Sequence, residues 1–273
     1  MSENHEKPHG QEKKHGSGGH PGGYPGGRPV GGDGKRGGPP AGMQLEEVDL
    51  NEKGAQGAKS DRRMYMQLLV FTGTVDEGAL IEGLKKNRIE GALYADVNDP
   101  YGYGLLTMSE KPGFFAGKLR DFLRGELFDQ LMLRDEYVMF GRTYSLGYEP
   151  DLNEVLLDRP RRYVRDKDWP WAVWYPLRRA GSFEQLSGEE QMAILREHGG
   201  IGFSYGRAGV ARDVRLACHG MGGEDNDFVI GLIGQELHPL SALVQRMRKT
   251  KQTSQYLEEL GPFFVGKVLW QSK

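Results

Sequence analysis

Three histidines, His198, His219 and His238, lie in the part of the sequence that carries apolar patterning, each in a different segment. That scatter does not suit a three-histidine zinc site, whose ligands need close spacing. One histidine is enough to hold a porphyrin iron from one side. His198 is the candidate, because Ile194 and Leu195 stand four and three residues before it and put it on an apolar helix face. A buried imidazole needs a partner for each nitrogen. Iron on Nε2 and a carboxylate or carbonyl at Nδ1 would serve. A hydrogen-bonded histidine near a helix end, favoured by the helix dipole, fits the same pattern without any iron.

Other side chains add to the possibilities. Arg215 sits in the middle of an aliphatic strand, where it needs either an ion-pair partner or an anion to steady. Tyr175, in Trp174-Tyr175-Pro176, reads first as core, with a phenol that needs a partner if buried. Arg178 and Arg179 follow it. Period-2 geometry puts Arg179, not Arg178, on the Tyr175 side of an unbent strand. The acidic turn Gly220–Asp227 lacks the spacing and closing glutamate of a calcium loop and reads as a hairpin connection. Gly102-Tyr103-Gly104 is too short for a dinucleotide fingerprint.

The elements that must position these groups fall into two similar halves. In the first, Tyr65–Thr72 is extended, Val75–Lys86 helical, Ala92–Val97 and Gly102–Met108 extended, Pro112–Leu123 helical and Tyr137–Leu146 extended. In the second, Trp171–Arg178 is extended. Ser187 caps a helix with Glu190 completing a capping box, and Gly199-Gly200 ends that helix just after His198. Asp213–His219 alternates Val214, Leu216 and Cys218 against Arg215, Ala217 and His219. Phe228–Gly234 is extended, Leu240–Arg248 helical and Phe263–Leu269 extended. Strand, helix, strand, strand, helix, strand, twice over, predicts an α+β fold of two pseudo-symmetric ferredoxin-like units, 60–148 and 171–273. Both faces of each sheet carry apolar residues, so the units pack sheet to sheet. A charged linker, 149–170, joins them, with Trp169 available to pack it down.

Composition separates a further segment. Residues 1–42 hold 14 of the 41 Gly, 6 of the 14 Pro and 4 of the 7 His of the 273-residue chain. Such a stretch buries too little apolar surface to offset its ordering entropy, so a disordered tail is expected over 1–59. Its histidines, with nothing to fix ligand geometry, read as solvated. The tail has neither the apolar stretch of a secretory signal nor the Ser and Arg bias of a transit peptide. No apolar run reaches the length of a membrane span. The net charge of -2 gives no whole-protein attraction to nucleic acid. The single cysteine, Cys218, excludes an internal disulfide and suits a reducing compartment, so a cytoplasmic location is expected.

The stretch from about Trp171 to Lys267 resembles the chlorite dismutase and coproheme decarboxylase family of haem enzymes. The resemblance is carried by Glu197-His198-Gly199, Ile201-Gly202 and Tyr205, by Gly222, Asp225 and Phe228, and by Met247-Arg248, Thr253, Tyr256 and Phe263-Phe264-Val265-Gly266. It implies that His198 is the proximal iron ligand of haem b or coproheme III. It implies that Arg248 and Thr253 hold a propionate, and that the chain forms a homo-oligomer, a pentamer or hexamer. Tyr175 stands where the decarboxylases carry the tyrosine that becomes a radical and starts loss of propionate carboxyl groups. Arg179 stands where they use a lysine to hold a substrate carboxylate. Arg215, allowing a four-residue insertion after Tyr205, aligns with the distal arginine of chlorite-splitting members, where one type of decarboxylase has glutamine; Arg212 is the neighbouring alternative. The resemblance thus implies peroxide-dependent decarboxylation of coproheme III to haem b, with Tyr175 as catalytic residue. Its alternatives are chlorite dismutation or a related haem b peroxidase activity through Arg215, and haem binding without turnover. The small-molecule oxidant is hydrogen peroxide or chlorite accordingly.

Overall fold

The computed structural model describes residues 47–273, and Asp49–Lys273 forms one compact unit. Most of the expected tail lies outside the described residues. Its end does not fit the expectation: β1 (Glu52–Lys53) and β2 (Lys59–Ser60) pair as a small hairpin. Gly54 and Ala55 bond the carbonyls of Ala58 and Glu149, which ties this hairpin to the body.

The first ferredoxin-like unit is β3 (Tyr65–Gly73), α1 (Glu77–Lys86), β4 (Gly91–Asp96), β5 (Gly102–Ser109), a π-helical turn (Phe115–Leu119) running into α2 (Arg120–Leu123), and β6 (Leu131–Thr143). Asp76 caps α1 by accepting the Ala79 N–H at 3.1 Å. The expected linker is itself structured. A π-helical turn (Glu154–Asp158) continues into α3 (Arg159–Val164), and Leu156, Leu157, Val164 and Trp169 are buried against the sheets. The second unit is β7 (Trp171–Arg179), α4 (Gly181–Glu184), α5 (Gly188–Arg207), β8 (Arg212–Ala217), β9 (Phe228–Gly234), α6 (Leu237–Met247), α7 (Lys251–Gln255), β10 (Leu257–Leu260) and β11 (Phe264–Gln271).

The strand order within each unit follows the ferredoxin-like pattern, β4-β5-β3-β6 and β11-β7-β9-β8. The two sheets face one another as the apolar faces require. They are also joined at both edges, β4 to β11 and β6 to β8, so eight strands close into an antiparallel barrel with β10 extending alongside β7. Closure leaves no unpaired sheet edge at the junctions between the units. Met66, Leu68, Tyr94, Leu106, Trp174, Leu216 and Phe264 fill the barrel. The outer face of each sheet carries its own core beneath helices: Leu69, Leu93 and Leu105 against Leu80 and Leu84 in the first unit, and Val173, Tyr175 and Leu232 against Leu240 and Leu243 in the second.

One expectation about α5 fails. Gly199 and Gly200 do not end it; the helix runs on to Arg207. Each helical glycine costs about 1 kcal/mol relative to alanine. Ile201 and Tyr205, packed on the second unit's outer core, offset that loss. The stop comes at Gly209, whose φ of 68° is open to glycine. There the N–H groups of Gly209 and Val210 bond the carbonyls of Gly206 and Tyr205, a Schellman closure. The helix start is as expected: Ser187 and Glu190 form the full capping box.

Candidate functional site

The barrel alternation decides which side chains meet. On β8, Val214 and Leu216 enter the barrel, which turns Arg215 to the outer face. On β7, Trp174 enters the barrel and Tyr175 and Leu177 lie in the outer core, so Arg179 follows on the outer side. Tyr175 and Arg215 both pair with Ile230 of β9, one from each side. They therefore occupy one row of the sheet, roughly 10 Å apart across two strand spacings. The helices α5 and α6 cover this face, and Ile201, Tyr205, Ile230 and Met247 pack in the layer between. Arg212, the alternative to Arg215, faces the other way. Its guanidinium bonds Asp166 at 2.6 Å and lies 3.8 Å over the Trp169 ring, a structural role.

His198 lies in the middle of α5, on the turn below Ile194, and is half-buried. Ile194 is buried as expected, whereas Leu195 is exposed and does not share the His198 side. Burial, reinforced by the Arg179 charge, lowers the His198 pKa below the ordinary histidine value and favours the neutral imidazole near pH 7. Its Nδ1 lies 3.2 Å from Thr250 Oγ1. The Nδ1 partner is thus a hydroxyl rather than the expected carboxylate or carbonyl. Sequence reading missed Thr250, and only the shared resemblance segment around Arg248 and Thr253 pointed near it. Thr253 joins the same network, its Oγ1 3.3 Å from Thr250 Oγ1. Arg248, exposed at the end of α6, reaches the Phe263 ring at 6.0 Å.

Tyr175 is buried and stacks on Phe263 with ring centroids 4.6 Å apart and planes inclined by 29°. Burial, with a smaller push from Asp213, raises its pKa above the ordinary tyrosine value, so the phenol stays protonated. Arg179 lies 4.7 Å over Phe183 and 4.8 Å over Phe228, with a backbone N–H bonded to Asp227 at 2.8 Å. Its Nε is buried with no hydrogen-bond partner, and among the described residues no carboxylate pairs with its guanidinium. Arg215 is partly engaged, with Nε 3.1 Å from Asp213 Oδ2. Tyr144, which sequence reading passed over, comes from the first unit to the same region. It lies against Phe228 at 5.6 Å, and the Arg215 and Arg179 charges reach its phenol. His219 is exposed and pairs with Asp227 at 3.2 Å, and His238 is exposed on α6.

The donor set fits an iron porphyrin: one neutral imidazole, an unpaired arginine with a buried unsatisfied N–H, and a protonated phenol on the facing sheet. Among the described residues, no cluster of three or more His, Cys, Asp or Glu side chains could hold a bare metal ion. Surface hollows of about 710 and 530 Å³ lie on the first unit and its hairpin, lined by Lys118 and Phe122 and by Lys59 and Asp151, away from these residues.

Fold and site together define a closed two-unit α+β barrel with its candidate centre between the outer C-terminal sheet and α5. The protein-family model described as chlorite dismutase matches residues 120–269, 150 of the 273 residues, and the chain belongs to that family. Among solved structures, a haem-binding protein from Thermus thermophilus aligns with a TM-score of 0.63 at 18% identity, covering 77% of this chain and 92% of that one. A variant of the chlorite dismutase from Candidatus Nitrospira defluvii aligns with a TM-score of 0.56 at 13% identity, with the same coverage of 77% and 92%. No curated protein sequence matches the chain. Among the described residues, no helix is long and apolar enough to cross a membrane.

Proposed function

We propose that the protein is a haem-dependent oxidoreductase that uses hydrogen peroxide to decarboxylate coproheme III to haem b. The observation that carries this reading is Arg179, whose buried Nε has no partner and whose guanidinium no carboxylate neutralises. An unpaired arginine held against two rings, on the Tyr175 side of β7, is suited to a substrate carboxylate. Bound iron porphyrin supplies the redox chemistry with peroxide. In net terms, each reacting propionate, with one hydrogen peroxide and one proton, becomes a vinyl group, carbon dioxide and two waters.

The chain's own residues do the rest. His198 offers a neutral imidazole to the iron. Arg179 and Arg248 hold carboxylates, with Thr253 beside them, and so orient the reacting propionate. Tyr175, kept protonated by burial, yields a hydrogen atom from Oη and takes one back from the propionate carbon nearest the ring. With its hydrogen recovered, Tyr175 is again a phenol. Loss of the carboxyl group as carbon dioxide would leave the vinyl group, the second oxidising equivalent being one that bound iron porphyrin and peroxide would supply. Ile201, Tyr205 and Met247, packed between α5 and the sheet, keep this face apolar and shield it from bulk water.

The test is to add iron coproporphyrin III and peroxide and follow stepwise mass loss and the Soret shift. Tyr175→Phe is expected to abolish decarboxylation while retaining porphyrin binding; continued decarboxylation by that variant defeats the role. A second reading, chlorite dismutation or a related haem b peroxidase activity, is favoured by Arg215 sharing the Tyr175 row. It predicts oxygen release on adding chlorite, retained in Tyr175→Phe and lost in Arg215→Ala. Porphyrin binding with neither response would leave a non-catalytic haem-binding protein.

A further inference from the structure

We propose that Thr250 is a positioning residue for His198: its hydroxyl accepts a hydrogen bond from Nδ1–H and so holds the tautomer whose Nε2 lone pair is open to iron. The proposal rests on the haem reading for the iron, while the tautomer itself is a property of the chain. Thr250 is 2% exposed, at the junction of α6 and α7. Its Oγ1 lies 2.8 Å from the Met247 carbonyl oxygen and 3.2 Å from His198 Nδ1, and it accepts the Thr253 N–H at 3.4 Å.

A hydroxyl has one hydrogen to give. The Met247 carbonyl can only accept, and it is the shortest of these contacts. If Nδ1 were bare, Thr250 would owe a hydrogen to both the carbonyl and the ring. If Nδ1 carries the hydrogen, both contacts are satisfied at once, and the two lone pairs of the hydroxyl take the Nδ1–H and the Thr253 N–H. The pairing is fixed in place by its neighbours. Glu197 Oε2 accepts the Lys251 N–H at 3.1 Å, so consecutive residues of α5 are clipped to consecutive residues at the start of α7.

The acceptor is a neutral alcohol oxygen, which draws on the Nδ1 proton less than a carboxylate would. An iron held at Nε2 would therefore meet an imidazole with little imidazolate character. Partners of this kind commonly change metal affinity by roughly 10–100-fold.

The experiment uses the full chain with 15N-labelled histidine, free of porphyrin, at pH 8, where two-bond proton–nitrogen spectra report the tautomer. His198 in the native chain and in Thr250→Ser is expected to carry its proton on Nδ1. Thr250→Val is expected to give a mixture or the Nε2–H form, and to bind haemin roughly tenfold more weakly, with serine restoring binding. Resonance Raman of the ferrous iron–histidine stretch gives a second readout: native and Thr250→Ser coincide, and Thr250→Asp shifts to higher frequency. A native spectrum showing Nε2–H overturns the proposal even if Thr250→Val fails to fold, and so does an unchanged tautomer in a folded Thr250→Val. A native Nδ1–H tautomer in a chain that does not coordinate porphyrin sinks the haem reading and leaves the Thr250 assignment standing.

Discussion

At Arg179 the chain holds a cation against Phe183 and Phe228 and leaves its Nε without a partner. Other arginines nearby are committed: Arg178 to Glu258 and Glu259, and Arg212 to Asp166. A charge-assisted hydrogen bond contributes about 1.5–3 kcal/mol, so losing one weakens binding by roughly 10–150-fold. Arg179→Leu is therefore expected to weaken iron coproporphyrin III more than haem b, which has fewer carboxylates. Arg179→Lys is expected to recover only part of the loss, because an ammonium keeps the charge without the planar, ring-stacked fork. Soret titrations with both porphyrins check this, and equal affinities of native and Arg179→Leu for the four-carboxylate ring would refute it. The alternation of residues made Arg179 legible from sequence. Its freedom from a partner was not, because pairing depends on where Asp227, Glu258 and Glu259 fold.

Elements differ in how far the local sequence governs them. The start of α5 was legible because Ser187 and Glu190 form a local motif. Its end was not, because Gly199-Gly200 looks like a stop yet packing of Ile201 and Tyr205 carries the helix through. A Cβ built on Gly199 or Gly200 meets nothing within 4 Å. Gly200→Ala is therefore expected to raise stability by about 0.5–1 kcal/mol, through helix propensity alone. Gly231 is the opposite case, since an added Cβ there runs into the Trp174 ring inside the barrel. Gly231→Ala is expected to cost about 1–3 kcal/mol by overpacking. Thermal melts of both variants give the two signs, and a stabilised Gly231→Ala would contradict the packing of Trp174. The short α7 and β10 went unread from sequence for different reasons. The Thr250 cap of α7 is a local signal on a helix of only five residues, whereas β10 is defined by pairing with Arg179–Leu177, a distant segment.

For the whole molecule, closure of the barrel leaves apolar side chains on two outer surfaces. Met132 and Leu133 of β6 are 69% and 47% exposed, and Met192 and Phe203 of α5 are 59% and 67% exposed. Surfaces of this kind bury themselves by association. A homo-oligomer, a pentamer by the family resemblance, is the proposal that follows. Light scattering on the full chain is expected to give a multiple of 30.5 kDa. Met132→Lys or Phe203→Lys is expected to return it towards the monomer, the effective substitution marking the interface. A native chain of monomer mass at micromolar concentration would end this proposal.

By itself the sequence determined the two repeated units, the inward and outward alternation of the strands, and the residues on the site's face. These depend on period and local capping, which a short window of chain already contains. The tertiary structure alone decided that the two sheets join at their edges, that Arg215 meets Asp213 while Arg179 meets no carboxylate, and that Thr250 stands at His198 Nδ1. Most of these are contacts between segments far apart in the chain, and hydrogen-bond partners at such range are chosen by packing rather than by spacing.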